Sequence, residues 1–358
     1  MKRIIIVGMG SIGIRHARIC GQFNDLAVEL CDPRSEGLRE ARQTLGDLPV
    51  WDSWEKALAS RPEMMVIATP HHLHASMVCQ AVERGIHVLC EKPMSDSVDS
   101  ALKMTRLARQ AGVVLRIGFM HRFQPGIRHL RAMLQGGELG NLMSIHYHIG
   151  SLITLENSRS RYQADVHGAL VMDYVHGLDL LLWLTGSHPY EVYAREAKAG
   201  VLAHAADPTL FEAMLSFPGP VLASMHMDYA TKPQLHELTL LGDRAMARLD
   251  LGEGRLEIRD SAKNERRQVD FNFHFDEVYT QQLAEFFAEV RGGSGTGCRP
   301  EEGAISTLLM QRLLESATQK RPFDLADCAI IQACLDEKPY RRCAGANASA
   351  KLNSAFQG

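Results

Sequence analysis

Residues 3–13 read RIIIVGMGSIG, a short apolar run followed by a glycine-rich turn. The run from Ile4 to Val7 predicts a buried β-strand, and a helical pattern begins at Ser11. The glycines have the G-x-G-x-x-G spacing, at Gly8, Gly10 and Gly13. The first allows a tight turn, the second lets the backbone approach a pyrophosphate, and the third lets the helix pack on the strand. A strand, this turn and a helix together predict a dinucleotide-binding loop.

The start of the helix and the end of the next strand complete this predicted cofactor site. The backbone N–H groups of Ser11 and Ile12 lie in the first helical turn, where the helix dipole favours a negative phosphate. Asp32 ends the second apolar run, nineteen residues after Gly13, which is near the spacing of a ribose-binding carboxylate. A carboxylate repels a 2′-phosphate, so we predict NAD. Arg34 could pair with such a phosphate, which leaves NADP as the alternative.

The chain divides into regions of different pattern. Residues 1–120 alternate short strand-like runs with helical stretches, which predicts a doubly wound parallel sheet of the Rossmann type. Residues 121–325 contain a helix, then strand-like runs joined by short turns, then two amphipathic helices. This order predicts an α+β domain with a mostly antiparallel, open sheet. Residues 326–358 are expected to form a C-terminal tail.

Composition excludes several function classes. The chain has 358 residues and a formal net charge of −3, so no basic surface is expected to bind nucleic acid. No apolar run reaches the length of a membrane span. The 8 cysteines include no C-x-x-C pair, which favours reduced thiols and a cytoplasmic location. The exposed face of an open sheet needs a cover, which predicts a homodimer or homotetramer.

Residues 168–186, GALVMDYVHGLDLLLWLTG, read as one buried helix that carries ionisable groups. In a continuous helix, Asp173 and Asp179 lie about 60° to either side of His176. Apolar residues surround this arc, so the polar groups are expected to face one another, the backbone or a wet cleft. Histidine suits the proton transfer that accompanies hydride loss from an alcohol.

Several motifs in order resemble the Gfo/Idh/MocA family, named for glucose–fructose oxidoreductase and inositol dehydrogenase. They are the glycine loop, ATPHHLHASMVCQAVERGIHVLCEKPMS at 68–95, GFMHRFQP at 118–125, and the helix at 168–186. The resemblance runs to about residue 325. It implies a pyridine-nucleotide oxidoreductase that acts on a sugar or another polyol, with Lys92 near the nicotinamide and the reacting hydroxyl.

The same resemblance assigns further positions. It implies that the cofactor is contacted by Ala68, Thr69, Pro70, His74, Glu91 and Lys92. It places Arg122 and Tyr162 on the substrate side, together with Asp173 and His176. We expect His176 to accept the proton, Lys92 to stabilise the developing alkoxide, Asp173 to orient the ring or bind a substrate hydroxyl, and Asp179 to give structural support. Many family members have a gap of four between the acid and the histidine, and a subgroup with a gap of three commonly has glutamate where this chain has Gly177.

Alternatives stay open at this stage. The chain is predicted to be a dehydrogenase for a sugar, a sugar nucleotide or a cyclitol. Some family members instead recycle bound NAD in elimination, hydrolysis or epimerisation, and a sensor would bind the nucleotide without catalysis. The HHLH run at 71–74 is not expected to hold a metal, because adjacent histidines after a strand seldom converge on one ion. We predict no metal site.

Overall fold

The computed structural model describes residues 1–157, 162–200, 202, 207–261 and 263–336. Its strands are Lys2–Val7 (β1), Leu26–Cys31 (β2), Val50–Trp51 (β3), Met64–Ile67 (β4), His87–Cys90 (β5), Leu115–Ile117 (β6), Leu142–Gly150 (β7), Glu191–Ala197 (β8), Leu210–Ser216 (β9), Leu222–Asp228 (β10), Leu235–Gly242 (β11), Ala245–Asp250 (β12), Arg255–Asp260 (β13), Glu265–Asp270 (β14) and Phe323–Asp324 (β15).

The helices alternate with strands in the first half of the chain and are grouped between runs of strands in the second half. They are Ser11–Cys20 (α1), Ser35–Leu45 (α2), Trp54–Ala59 (α3), His71–Val82 (α4), Val98–Ala111 (α5), Pro125–Gln135 (α6), Leu152–Glu156 (α7), Ala169–Asp173 (α8), His176–Thr185 (α9), Phe275–Val290 (α10), Pro300–Gln319 (α11) and Ala329–Asp336 (α12). Short 3₁₀ turns occupy Met120–Phe123 and Tyr162–Ala164.

The first half is the expected doubly wound sheet. Its 6 strands have the order β3-β2-β1-β4-β5-β6, and every pair is parallel. Alternate residues of β1 point to opposite faces, so Ile4 and Ile6 pack with α1 while Ile5 and Val7 pack with α4. Burial on both faces explains the unbroken apolar run that opens the sequence.

The second half is built on a sheet of 9 strands in the order β14-β13-β12-β11-β7-β10-β9-β8-β15. Its pairs are antiparallel except for β7 and β10, which run parallel. Tyr147 points inward and is 1% exposed, whereas His146 and His148 point to the opposite face. The inner face packs on α8 and α11 and on α9 at Gly177, and the fold class predicted from the sequence is confirmed.

The last helices return to the nucleotide half. Helix α10 packs on α1, and its Phe286 and Phe287 share one apolar cluster with Ile4 and Ile6. Helix α11 packs between α5 of the first half and β8 of the second. The predicted boundary at residue 120 therefore separates the sheets along the chain, but the two halves share a core. Of the predicted tail, the structure describes residues up to 336, where α12 packs on α11.

The predicted single helix over 168–186 is wrong in one respect. It is interrupted at Tyr174 and Val175, which separate α8 from α9. The Gly177 amide bonds the Tyr174 carbonyl at 3.0 Å, so the Asp173 carbonyl lacks the amide that would satisfy it in a continuous helix. Asp173 and His176 therefore do not share a helical face.

Candidate active site

The carboxyl edge of the parallel sheet collects the predicted cofactor residues. Gly8 follows β1 with φ of +94°, and a Cβ there would lie 2.6 Å from the Ala68 carbonyl oxygen. A Cβ on Gly13 would lie 1.8 Å from the Gly8 carbonyl oxygen, so the turn and the helix both require glycine. Gly10, in contrast, has open space around its Cβ position, which is the room that a pyrophosphate needs.

The first turn of α1 is available to an anion. No side chain of a described residue caps it at Gly10, and Ser11 is exposed there. Across the same edge, Ala68 and Thr69 are partly exposed and Pro70 is exposed. The predicted contacts of these residues with a dinucleotide fit this open edge, because ligands of doubly wound sheets lie at the carboxyl ends of the strands.

Asp32 lies where the ribose is expected, but its carboxylate is already engaged. Its Oδ2 accepts a hydrogen bond of 2.7 Å from the Met9 amide, and its Oδ1 accepts one of 2.8 Å from the Arg34 amide. The Arg34 guanidinium also bonds both oxygens, at 3.1 and 2.9 Å. Burial alone would raise the pKa of Asp32, yet the bonds from Arg34 and Met9 lower it. A ribose must displace the Arg34 side chain, which is 68% exposed and free to turn away.

Two predicted cofactor residues, His74 and Glu91, are buried and hold the loops of the cofactor site in place. His74 is 1% exposed, and its ring nitrogens each lie 2.9 Å from a backbone carbonyl, those of Pro93 and Thr69. Glu91 is 8% exposed and pairs with the His16 ring at 2.7 Å. Neither ring nitrogen of His74 is left for a ligand, so the cofactor contact expected of this residue stays a prediction that its polar atoms do not support. Glu91 joins the loop after β5 to α1.

Lys92 joins the two halves of the molecule. It follows β5, and its Nζ donates a hydrogen bond of 2.9 Å to the Asp173 carbonyl oxygen. This is the carbonyl that the break between α8 and α9 leaves without an amide partner. The break between α8 and α9 thus provides a backbone carbonyl that binds the Lys92 ammonium group at a defined position beside the second domain.

His176, the first residue of α9, lies next to this ammonium group. Burial, the neighbouring His121 ring and the Lys92 charge hold the pKa of His176 well below its usual range. The His121 and His176 ring centroids are 4.6 Å apart, and His236 lies on the other side of His121 at 5.2 Å. His176 Nδ1 has no hydrogen-bond partner among the described residues. The ring is neutral at pH 7 and is able to accept a proton.

The Asp173 carboxylate is held by residues other than His176. Tyr162 donates its hydroxyl to Oδ1. Gln163 and Tyr229 donate to Oδ2 at 3.1 and 2.6 Å. These bonds of the Asp173 carboxylate among the described residues do not include His176, so its expected role in orienting the imidazole stays a prediction that these contacts do not support. Among the described residues, only Tyr162 bonds Oδ1, which leaves the alternative role, binding a substrate hydroxyl.

Arg122 does not face the cleft. It is 1% exposed, and its guanidinium bonds both oxygens of Asp179, which is also 1% exposed. A third bond, of 3.1 Å, reaches Glu302 on α11. The substrate contact expected of Arg122 stays a prediction that this geometry does not support, since its donors bond Asp179 and Glu302. Asp179 has the structural position that was expected for it.

Sequence reasoning missed four residues of this site: His121, Gln163, Tyr229 and His236. His121 lies in the quoted HRFQP motif, directly before Arg122, so a signal for it was present. Gln163 neighbours the predicted Tyr162. Tyr229 and His236 lie on or beside strands, and only the sheet register brings them to Asp173 and His121.

Comparisons with known proteins identify the class. Residues 2–119 match the oxidoreductase family GFO_IDH_MocA with its NAD-binding Rossmann fold, and residues 127–248 match the GFO/IDH/MocA C-terminal domain. The chain belongs to this family. It is an NAD(P)-dependent oxidoreductase enzyme, with NAD as the family's cofactor.

Individual relatives agree with this assignment. The chain is 24% identical over 298 residues to an inositol 2-dehydrogenase of Corynebacterium glutamicum, which covers 82% of this chain and 86% of the relative. It is 26% identical over 274 residues to a 2,7-anhydro-N-acetylneuraminate hydratase of Escherichia coli, covering 72% and 71%.

A solved structure shares the fold. A levoglucosan dehydrogenase in complex with NADH and levoglucosan superposes with a TM-score of 0.80 at 18% identity, covering 90% of this chain and 99% of that one. Within the described residues, no helix combines the length and apolar character needed to cross a membrane.

Proposed function

We propose that the chain is a dehydrogenase that oxidises a hydroxyl of a sugar, sugar nucleotide or cyclitol, or reduces the corresponding ketone. The observation that supports this most directly is the bond between Lys92 of the nucleotide half and the Asp173 carbonyl, beside His176. The names of the inositol and levoglucosan dehydrogenases point to the same substrate class.

Each residue has a distinct role in the proposed reaction. NAD supplies the hydride acceptor when it is bound. Neutral His176 removes the hydroxyl proton, and the low pKa of its ring keeps it deprotonated before the reaction. The Lys92 ammonium group stabilises the developing alkoxide. Asp173, held by Tyr162 and Tyr229, binds a neighbouring hydroxyl with the free position on Oδ1.

The cofactor preference is argued from Asp32 and Arg34. The carboxylate favours a free 2′-hydroxyl, so we propose NAD as the main cofactor. The exposed Arg34 guanidinium is able to pair with a 2′-phosphate once it leaves Asp32, which keeps NADP as a weaker second cofactor.

The test is a substrate screen with matched variants. Free sugars, glycosides, cyclitols and sugar nucleotides are incubated with NAD or NADP while the absorbance of the reduced cofactor is followed. We expect the His176→Ala variant to lose at least about 100-fold in turnover with NAD affinity unchanged, and the Lys92→Met variant to lose turnover to a similar extent. The control is His146→Gln, on the outer face of the sheet. Full turnover by His176→Ala would exclude this ring as the base.

A second candidate function is a reaction that recycles NAD without net redox change. The hydratase relative favours it by name. Such an enzyme converts substrate without accumulating NADH, so product analysis without an absorbance change distinguishes it from a simple dehydrogenase. A sensor without catalysis converts no substrate in either assay.

Location and assembly are argued from the surface and the thiols. The described cysteines, 7 in number, are all free, which supports the cytoplasmic location proposed from the sequence. The outer face of the second sheet exposes Met214, Leu222 and Leu241 by 56%, 50% and 36%. We propose that a second copy of the chain covers this face in a homodimer, or in a homotetramer of such pairs.

A further inference from the structure

The outer face of the second sheet carries a cluster of metal-ligating groups away from the proposed active site. The parallel pairing of β7 with β10 places His148 directly opposite His226, with ring centroids 4.4 Å apart. Asp228 follows two residues later on the same face of β10. One ligand atom from each of these residues lies within 4.8 Å of the others.

The Asp228 carboxylate is fixed before any ion arrives. Its Oδ1 accepts hydrogen bonds of 2.6 Å from each of the Ala230 and Thr231 amides. Its Oδ2 accepts one of 2.8 Å from the Thr231 hydroxyl and lies 3.1 Å from His226 Nε2. Asp228 is 3% exposed, so Oδ2 is a preoriented anionic ligand with one acceptor position directed at the two rings.

Glu212 determines which His226 nitrogen is able to bind an ion. Its Oε1 lies 2.6 Å from His226 Nδ1, so Nδ1 carries a proton and donates it. In a neutral ring, Nε2 then presents a lone pair to the Asp228 oxygen 3.1 Å away, which is repulsive unless a cation lies between them. A carboxylate behind a histidine is also the common second shell of metal sites.

We propose that His148, His226 and Asp228 bind a divalent transition-metal ion of the zinc type, with Glu212 orienting His226. Two imidazoles and a carboxylate suit zinc, cobalt and nickel, and leave positions for water. Coordination requires the partly buried His148 ring to move towards Asp228. The sequence predicted no metal because these ligands come from separate strands, and only the β7–β10 register brings them together.

This proposal is independent of the dehydrogenase chemistry. The histidines lie on the outward face of β7 and β10, whereas the proposed catalytic groups lie on the inner side. The main alternative to a bound ion is a metal-free network in which the His226 ring bonds Glu212 and Asp228 directly.

The experiment uses the untagged, full-length protein after treatment with a chelator. Co²⁺ is titrated while its visible absorption spectrum is recorded, and Zn²⁺ is then added in competition. We expect one ion per chain in the wild-type protein, and a loss of affinity of at least about 100-fold in His148→Gln and in His226→Gln. Glu212→Gln is expected to weaken binding by about 10- to 100-fold.

The matched control is His146→Gln, which removes a histidine from the same strand and face without touching the cluster. It should bind Co²⁺ as the wild type does. Retained NAD binding shows that each variant is folded. The proposal is overturned if the wild-type protein binds no ion, or if the loss of His148 and His226 leaves binding unchanged; a metal-free network would give the first of these results.

Discussion

His176 shows how surroundings adapt a common side chain to a specific task. The ring touches His121 at a centroid distance of 4.6 Å and Phe119 at 5.6 Å. These neighbours exclude the water that would solvate a protonated His176 ring, and the Lys92 ammonium group repels the positive charge of that ring. Each effect favours the neutral ring, which is the form that a proton acceptor requires before the reaction.

The first prediction concerns the pH dependence of oxidation. A lowered pKa means that His176 stays neutral as the pH falls, so kcat/KM should show no loss of base near the ordinary histidine pKa of about 6.5. We expect activity to persist below that pH at saturating NAD. His121→Asn removes one neighbour of the ring and should move the acidic limb of the profile upward. A wild-type limb centred at or above 6.5 would contradict the assigned role.

Individual residues also show the limits of sequence reasoning. Lys92 and His176 were predictable because each lies in a motif with a fixed order along the chain. The partners of the Asp173 carboxylate were not predictable from the sequence, because Tyr229 and Gln163 lie in separate segments of the chain. Arg122 was placed at the cleft by its motif, but the charge of Asp179 on α9 draws it into the interior.

At the scale of elements, the break between α8 and α9 positions two groups of the candidate active site. It frees the Asp173 carbonyl for Lys92 and places His176 at the start of a new helix. Gly177 follows, and a Cβ there would lie 2.6 Å from both Met225 Cε and Tyr147 Cε1. The glutamate common at this position in the resembling subgroup therefore has no room against this sheet, which explains the departure from the subgroup pattern as a packing requirement.

The second prediction concerns the buried ion pair that joins the 3₁₀ turn at 120–123 to α9. Arg122→Met leaves Asp179 without its cation in a site that is 1% exposed, so we expect a loss of about 3–5 kcal/mol in the free energy of unfolding. The double variant Arg122→Met/Asp179→Leu removes both charges and should recover most of that loss. Urea denaturation followed by circular dichroism measures both. Equal stability of the single variant and the wild type would show that the pair is not needed for stability.

At the scale of the whole molecule, the sequence predicted the two sheets but not how the chain ends join them. Strand and helix alternation follows from local periodicity, so the parallel sheet and most antiparallel strands were predictable. The parallel β7–β10 pair and the return of α10 to α1 depend on contacts between distant segments. Phe286 and Phe287 are able to pack on any apolar surface, and the sequence alone does not predict which surface of the protein they cover.

The third prediction tests the proposed assembly. If a second copy covers the outer sheet face, a charge in its apolar part should separate the copies. We expect Met214→Glu combined with Leu222→Glu to reduce the molar mass measured by light scattering, with NAD binding retained. The control is Met143→Glu, because Met143 is 42% exposed near the start of β7 and alternates with the outward-facing Ser144 and His146. An unchanged mass for the double variant would place the interface elsewhere.

The last prediction concerns acid stability, to which the buried histidines contribute together. Burial lowers the pKa of His236 to about 3, and the pKa values of His121 and His176 are lowered as well. Below about pH 6.5 the unfolded chain binds protons at these residues that the folded chain does not, so stability must fall as the pH falls. Between pH 7.5 and 5.5, His236 alone should contribute a loss of about 1.4 kcal/mol.

Denaturant unfolding of the cofactor-free protein at several pH values, at one protein concentration, measures this loss. His236→Gln cannot titrate but keeps a polar group near the Tyr147 hydroxyl, which lies 3.0 Å from the His236 ring in the wild type. The variant should therefore show a shallower decline, with His121 and His176 supplying the remainder. If its decline matched that of the wild type, the unfolded and folded states would bind protons equally at this site, and His236 would have no part in acid unfolding.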